Sequence, residues 1–140
     1  ERSKSFDEKI DLNEASASQL QKVYGIGSAL SKRIITYRDR IEGGFADDIE
    51  LMEVYGLDEE VIERIKADFT VKTPRAIYRI DINQATSEQL VTIPYIDYEL
   101  AYKIIEYRTL HEGIYAVEEL TKIEDFPENK IKLIGLYLQF

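Results

Sequence analysis

Apolar residues recur at helical spacing in short bursts, and turn residues separate the bursts in pairs. Leu20 and Val23 precede Gly25-Ile26-Gly27, and Leu30, Ile34 and Ile35 follow it. This pattern predicts two helices meeting at a very tight turn with Ile26 pointing inward. Glycine tolerates positive φ and close backbone approach, so both glycines are expected to serve the turn. Ser16-Ala17-Ser18-Gln19 has the spacing of a capping box and starts the first helix. The second is expected from about Ser28 to Ile41, ending where Gly43-Gly44 offers a left-handed cap. Asp47-Asp48-Ile49-Glu50 caps a third helix, Tyr55-Gly56-Leu57-Asp58 makes a second turn, and Val61, Ile62, Ile65 and Phe69 mark a fourth helix. Ahead of this set, residues 1–9 are polar and aperiodic and read as a flexible, frayed leader, with Ile10 to Asn13 a short extended lead-in.

The pattern then restarts. A shift of 70 positions lays Ile80-Asp81-Ile82-Asn83 on Ile10-Asp11-Leu12-Asn13, and between 10 and 46 it gives 15 identities in 37 pairs. With a one-residue slip, Leu120 and Ile123 also fall on Leu51 and Val54. The chain is therefore an internal repeat. The expected fold is all-α, with one double-hairpin unit at 10–70, a linker at 71–79 around Lys72-Thr73-Pro74-Arg75, and a second, degenerate unit at 80–140.

The helix after Gly27 presents the free N–H groups of its first turn with no bulky side chain before them, which makes a phosphate-sized anion site. Leu20-x-x-Val23-x-Gly25-Ile26-Gly27-x-x-x-Ser31-x-x-Ile34-Ile35 resembles the helix-hairpin-helix motif, with Ser31 where the family usually has Ala. The order of Ile10-Asp-Leu-Asn-Glu-Ala-Ser, the hairpin, Tyr37-Arg38, Gly43-Gly44-Phe45 and Leu51-x-x-Val54-Tyr55-Gly56-Leu57 is similar to that of ComEA-like bacterial competence modules, over nearly the whole chain. That resemblance implies weak, sequence-independent binding of double-stranded DNA in DNA uptake. Backbone at Gly25, Ile26, Gly27 and Ser28 would take a phosphate, and Lys22, Lys32 and Arg33 would add charge. It also implies an extracytoplasmic, membrane-anchored parent protein, which no residue here carries by itself.

The four hairpins are not equivalent. Gly25-Ile26-Gly27, Gly56-Leu57-Asp58, Tyr95-Ile96-Asp97 and Asp125-Phe126-Pro127 share the middle apolar residue alone. Asp58 and Asp97 stand where a carboxylate caps the N–H groups and repels phosphate, and Pro127 removes a donor. Only the first hairpin is expected to keep its donors free.

The formal charge of −9 argues against a protein that coats itself in nucleic acid, so any DNA contact must be local. Between Gln21 and Arg40, Lys22, Lys32, Arg33, Arg38 and Arg40 stand against Asp39, a net of +4. Between Ile41 and Glu63 there are nine acids and no base, which reads as a solvated surface. Cysteine is absent, and no run approaches the ~18 apolar residues of a membrane span. The chain opens at Glu1, so a longer parent is expected.

His111 is the sole histidine, placed near a helix end, and no nucleophile–base spacing or metal cluster is visible. A non-enzyme is therefore expected, with no cofactor, no metal and no small-molecule substrate. The competing reading is a protein-interaction or spacer module that kept the fold and lost DNA. For that reading, Tyr95, Tyr98 and Tyr102 are the candidate partner-binding residues, with Tyr98 and Tyr102 on one helix face.

Overall fold

The computed structural model describes residues 3–140. It is mostly helical and divides into two units, Glu1–Ala76 and Ile77–Phe140. The first runs β1 (Ile10–Asp11), α1 (Ala17–Leu20), α2 (Ser28–Asp39), a 3₁₀ segment Asp48–Glu53, α3 (Glu59–Asp68) and β2 (Phe69–Thr70). The second repeats the order with β3 (Ile80–Asp81), α4 (Ser87–Leu90), α5 (Tyr98–Leu110), 3₁₀ segments Val117–Lys122 and Glu128–Lys130, α6 (Ile131–Gly135) and β4 (Leu138–Gln139).

Local chemistry starts the helices as the spacing predicts. Ser16 accepts from the Gln19 N–H at 3.1 Å and Gln19 answers on the Ser16 N–H at 2.9 Å. Thr86 and Gln89 do the same before α4. Each first helix is a single turn, because the chain tightens at once: Val23 donates to Leu20 and Ile26 to Val23, both at 3.0 Å. The middle residues of all four hairpins then enter the cores. Ile26, Ile96 and Phe126 are buried, and Leu57 is half-buried against its core. Leu20, Ile34, Leu51 and Ile65 are fully buried in the first unit, as are Leu90, Ile104, Leu120 and Ile134 in the second. Burying each such side chain is worth ~1.5–3 kcal/mol, and each unit has its own core.

Each unit is closed by a parallel strand pair that the helical periodicity did not announce. Ile10 pairs with Phe69 and Asp11 with Thr70, while Ile80 pairs with Leu138 and Asp81 with Gln139. Phe69 thus belongs to a strand, and the fourth helix stops at Asp68.

Asparagine side chains tie the closure to the loop after the long helix. Asn13 Oδ1 accepts from the Phe45 N–H at 2.7 Å while its Nδ2 donates to the Phe45 carbonyl at 2.9 Å. Asn83 holds Ile114 in the same two-way grip, at 2.8 and 2.9 Å. Phe45 therefore matches Ile114, and the one-residue slip of the repeat lies at Gly44. A Cβ there would stand 2.4 Å from Asn13 Oδ1, and φ is +75°, so the position requires glycine.

Three expectations need correction. Residues 3–9 of the expected leader are fastened rather than frayed: Phe6–Glu8 forms a 3₁₀ turn, Lys4 pairs with Asp68 at 2.9 Å, and Lys72 Nζ lies 5.2 Å from the centre of the Phe6 ring. Glu1 and Arg2 lie outside the described residues. The expected linker at 71–79 belongs in large part to the first unit: Lys72 N–H and the Thr73 hydroxyl donate to Asp11 at 3.1 and 2.6 Å, and Arg75 forms an ion pair with buried Glu50 at 3.0 Å. The acidic run is also not simply a solvated surface. Asp48 accepts from the Thr70 hydroxyl and the Val71 N–H, both at 2.7 Å, and Asp47 and Asp58 cap helices.

The Asp11 carboxyl has a consequence for acid stability. Burial opposes its charged form, but hydrogen bonds from Thr73, Lys72 and Asn13 outweigh burial and hold its pKa below the ordinary aspartate value of 3.8. A carboxyl whose folded pKa is depressed contributes stability above its unfolded pKa and loses it as pH falls through the folded value. The first unit is therefore expected to lose stability below pH 3.8. Urea unfolding of the wild type and Asp11→Asn across acid pH, followed by amide exchange at Val71 and Thr73, checks this. The pH dependence should be shallower in Asp11→Asn, and equal slopes would rule the contribution out.

Candidate nucleic-acid interface

The four turns share one backbone device. The residue before each buried centre has positive φ: Gly25 at 95°, Gly56 at 93°, Tyr95 at 71° and Asp125 at 62°. Two of these are non-glycine residues in a region that L side chains seldom adopt, a local strain the second unit carries and the first does not. Gly27, by contrast, has φ −102° and ψ −166°, ordinary extended backbone. The expectation that both glycines serve the turn therefore holds for Gly25 alone.

What Gly27 supplies is emptiness. It is the N-cap of α2, makes no side-chain capping bond, and a Cβ placed on it meets nothing within 4 Å. At the equivalent positions, Asp58 accepts from the Val61 N–H at 2.9 Å and Asp97 from the Leu100 N–H at 2.8 Å, as the sequence predicts. Pro127 precedes the fourth hairpin's second helix and also makes no side-chain capping bond. Of the two twelve- and thirteen-residue helices, α2 alone begins without a carboxylate over its N–H groups. The positive end of its dipole faces solvent.

The other expected site residues divide. Gly25, Gly27, Ser28, Lys22, Lys32 and Arg33 are exposed. Ile26 is a core residue whose N–H is spent on the Val23 carbonyl, so it offers no donor to a phosphate. Arg38, part of the +4 count, is structural: its side chain is 12% exposed and donates to the Leu12 and Ala15 carbonyls at 3.2 and 2.7 Å. Arg108 makes the same two bonds, to Ile82 and Ala85. Ser31, where Ala is usual, is buried and satisfied, donating to the Ser28 carbonyl and accepting from Gln21 Nε2, both at 3.0 Å.

Two arginines missed as a pair join the two hairpins of the first unit. Arg33, on α2, lies 5.1 Å from the centre of the Tyr55 ring, and Arg64, on α3, lies 4.9 Å from that of Tyr24. The glycines following those tyrosines complete the exchange. A Cβ on Gly25 would stand 3.2 Å from Val61, and one on Gly56 would stand 3.0 Å from Leu30 and 2.6 Å from Arg33. Each turn is thus packed on the other hairpin's second helix. The repeated Tyr-Gly-apolar triplets at 24–26 and 55–57 are the sequence signal that could have exposed this.

The 70-residue register shows what the second unit substitutes. Tyr95, Asp97, Tyr98 and Tyr102 occupy the places of Gly25, Gly27, Ser28 and Lys32. Tyr95, Tyr98 and Tyr102 are 47%, 50% and 60% exposed, so they do not pack into a core. The Tyr98 and Tyr102 rings lie 6.3 Å apart. Lys103 pairs with Asp125 at 2.6 Å, and Lys130 Nζ lies 4.7 Å from the centre of the Tyr95 ring. His111 sits at the end of α5, its Nδ1 at 2.9 Å from the Tyr107 carbonyl and its ring stacked on Tyr107.

The helix-hairpin-helix motif family matches this chain twice, over residues 5–70 and 76–139. The chain belongs to the helix-hairpin-helix family. Motifs of this family are typical of non-specific DNA binding. Among curated relatives, the chain is 27% identical over 133 residues to endonuclease/exonuclease/phosphatase family domain-containing protein 1 of Danio rerio, covering 83% of this chain and 24% of that protein. It is 23% identical over 145 residues to the protein of the same name from Homo sapiens, covering 84% of this chain and 25% of that one. Similarity to ComE operon protein 1 of Bacillus subtilis is 33% over 63 residues, 45% of this chain and 30% of that protein. The chain thus spans about a quarter of the length of the first relatives it matches. No solved structure matches it significantly.

Proposed function

We propose that the first unit binds double-stranded DNA by its phosphate backbone, without regard to sequence, through the hairpin at Gly25 to Ser28. The observation that carries this reading is the bare Gly27 end of α2, with no side chain over its first turn and with Lys32 and Arg33 exposed on the same helix. Backbone donors and two or three cations attract any phosphate, and contacts made to phosphate carry no sequence information. The unit acts as a binding module rather than a catalyst. Its DNA-holding role would serve DNA uptake, as the resemblance to ComEA-like modules suggests, or would accompany an endonuclease/exonuclease/phosphatase family domain, as the name of the longer vertebrate matches suggests.

The test is a duplex titration followed by fluorescence anisotropy at rising salt. A site engaging two or three phosphates is expected to bind in the ~10⁻⁴ to 10⁻⁶ M range, with a slope of log K on log salt of roughly −2 to −3 and little change between sequences. A second reading, an interaction or spacer module, is favoured by the exposed Tyr98–Tyr102 pair and the carboxylate-capped second unit. Absence of duplex binding at low salt would decide for it.

A further inference from the structure

Next to hairpin one, the first unit carries an open groove of about 470 Å³, within the ~300–1,000 Å³ range of small-ligand sites. It shares Lys32 and Arg33 with the proposed phosphate site and is lined by two aromatic rings, Tyr37 and Tyr55. Both rings already hold a planar cation. Arg33 lies 5.1 Å from the Tyr55 centroid and Arg40 lies 4.6 Å from that of Tyr37. Tyr55 is 82% exposed, so most of its ring is open to a ligand. Against Lys32, Arg33 and Arg40 the groove has one carboxylate, Glu53.

The geometry points to a stacking site for an unpaired nucleotide, so that this protein prefers duplex DNA bearing a single-stranded tail to blunt duplex. The inference rests on the reading of hairpin one as the duplex site. Tyr37 is stacked on Phe45 and covered by Arg40, so the exposed Tyr55 ring is the stacking face. An aromatic face accepts any base, guanidinium groups add cation–π attraction and neutralise the backbone, and this combination is how single strands are held without sequence readout. A fully paired duplex keeps its bases stacked inside and cannot use the groove. A nucleotide continuing past the duplex end meets it through the two shared cations. An acidic aromatic peptide would satisfy the cations too, but it lacks the continuity with the duplex site that the shared Lys32 and Arg33 give a tail.

Three probes test this by anisotropy at low salt: a blunt duplex, the same duplex with a short single-stranded tail carrying 2-aminopurine, and the tail alone. The tailed duplex is expected to bind at least about five-fold tighter than the blunt one, the low end of what stacking one base on an aromatic side chain gives, with 2-aminopurine fluorescence quenched. Tyr55→Ala, at an exposed position, should remove the gain and the quench while leaving blunt-duplex affinity within about two-fold, and Tyr55→Phe should keep both. Equal affinity of the wild type for tailed and blunt duplex overturns the groove, as does a gain that survives Tyr55→Ala, which would reflect added phosphates alone. Loss of blunt binding with retention of the tail would overturn the hairpin reading instead. An unquenched tail, together with saturable binding of a glutamate- and tyrosine-rich peptide that Tyr55→Ala abolishes, would make the groove a peptide site and end the nucleotide proposal.

Discussion

Gly27→Asp is expected to abolish duplex binding while leaving the protein as stable as the wild type or slightly more so. The backbone at Gly27 is extended, and a side chain there enters open space, so the substitution meets neither strain nor a clash. The new carboxylate reproduces what Asp58 and Asp97 already do at 2.9 and 2.8 Å, accepting from the first turn of the following helix. Replacing glycine by aspartate at an N-cap contributes a few tenths of a kcal/mol. The same carboxylate occupies the donors a phosphate needs and sets a negative charge in front of it. Binding and stability should therefore move in opposite directions, which general damage to the fold cannot mimic. Anisotropy on a labelled duplex, with circular dichroism melts as the folding control, gives both readings. Gly27→Asn separates the two causes, since it caps the donors without the charge. If Gly27→Asp binds as the wild type does while folded, hairpin one is not the site.

Arg75→Ala should cost the first unit roughly 3–5 kcal/mol, although the sequence places Arg75 in a linker. Its guanidinium is 11% exposed and pairs with a Glu50 side chain that is 4% exposed, through contacts of 3.0 and 3.3 Å. It also donates to the Gly44 carbonyl, and the Arg75 N–H donates to the Phe45 carbonyl at 3.0 Å. Removing the guanidinium leaves the Glu50 charge buried with the Ala46 N–H, at 2.6 Å, as its remaining donor among the described residues. For a domain of this size a loss of about 3 kcal/mol lowers Tm by roughly 12 °C or more. Two units make a single unfolding midpoint ill-defined, so hydrogen exchange resolved by residue is the proper measurement. Protection should fall across residues 3–75 and stay unchanged from 80 to 139. A true linker position would change stability by no more than ~0.5 kcal/mol, and that outcome would return residues 71–75 to the linker.

The amino-acid sequence by itself determined the features whose causes are a few residues apart. The capping boxes at Ser16 and Thr86, the turns at Gly25 and Gly56, the inward middle residues Ile26 and Ile96, and the contrast between Gly27 and the aspartates Asp58 and Asp97 all follow from side-chain type at fixed short spacing. The 70-residue repeat was equally legible, because a repeated core preserves its apolar positions. Tertiary structure alone decided which polar groups face inward. Arg38 and Arg33 look alike in a charge count, yet one is spent on the Leu12 and Ala15 carbonyls and the other stays exposed beside Tyr55. Glu50 reads as one acid among nine until Arg75, 25 residues on, encloses it. The strand pairs join Ile10 to Phe69 and Ile80 to Leu138 and are two residues long, too short to print an alternating pattern on the chain. The groove beside hairpin one likewise exists only because Tyr37 and Tyr55, from separate elements, are brought together beside Lys32, Arg33 and Arg40. Hydrophobic periodicity reports burial along one element, whereas a polar side chain's partner is chosen by the fold, and no local pattern encodes it.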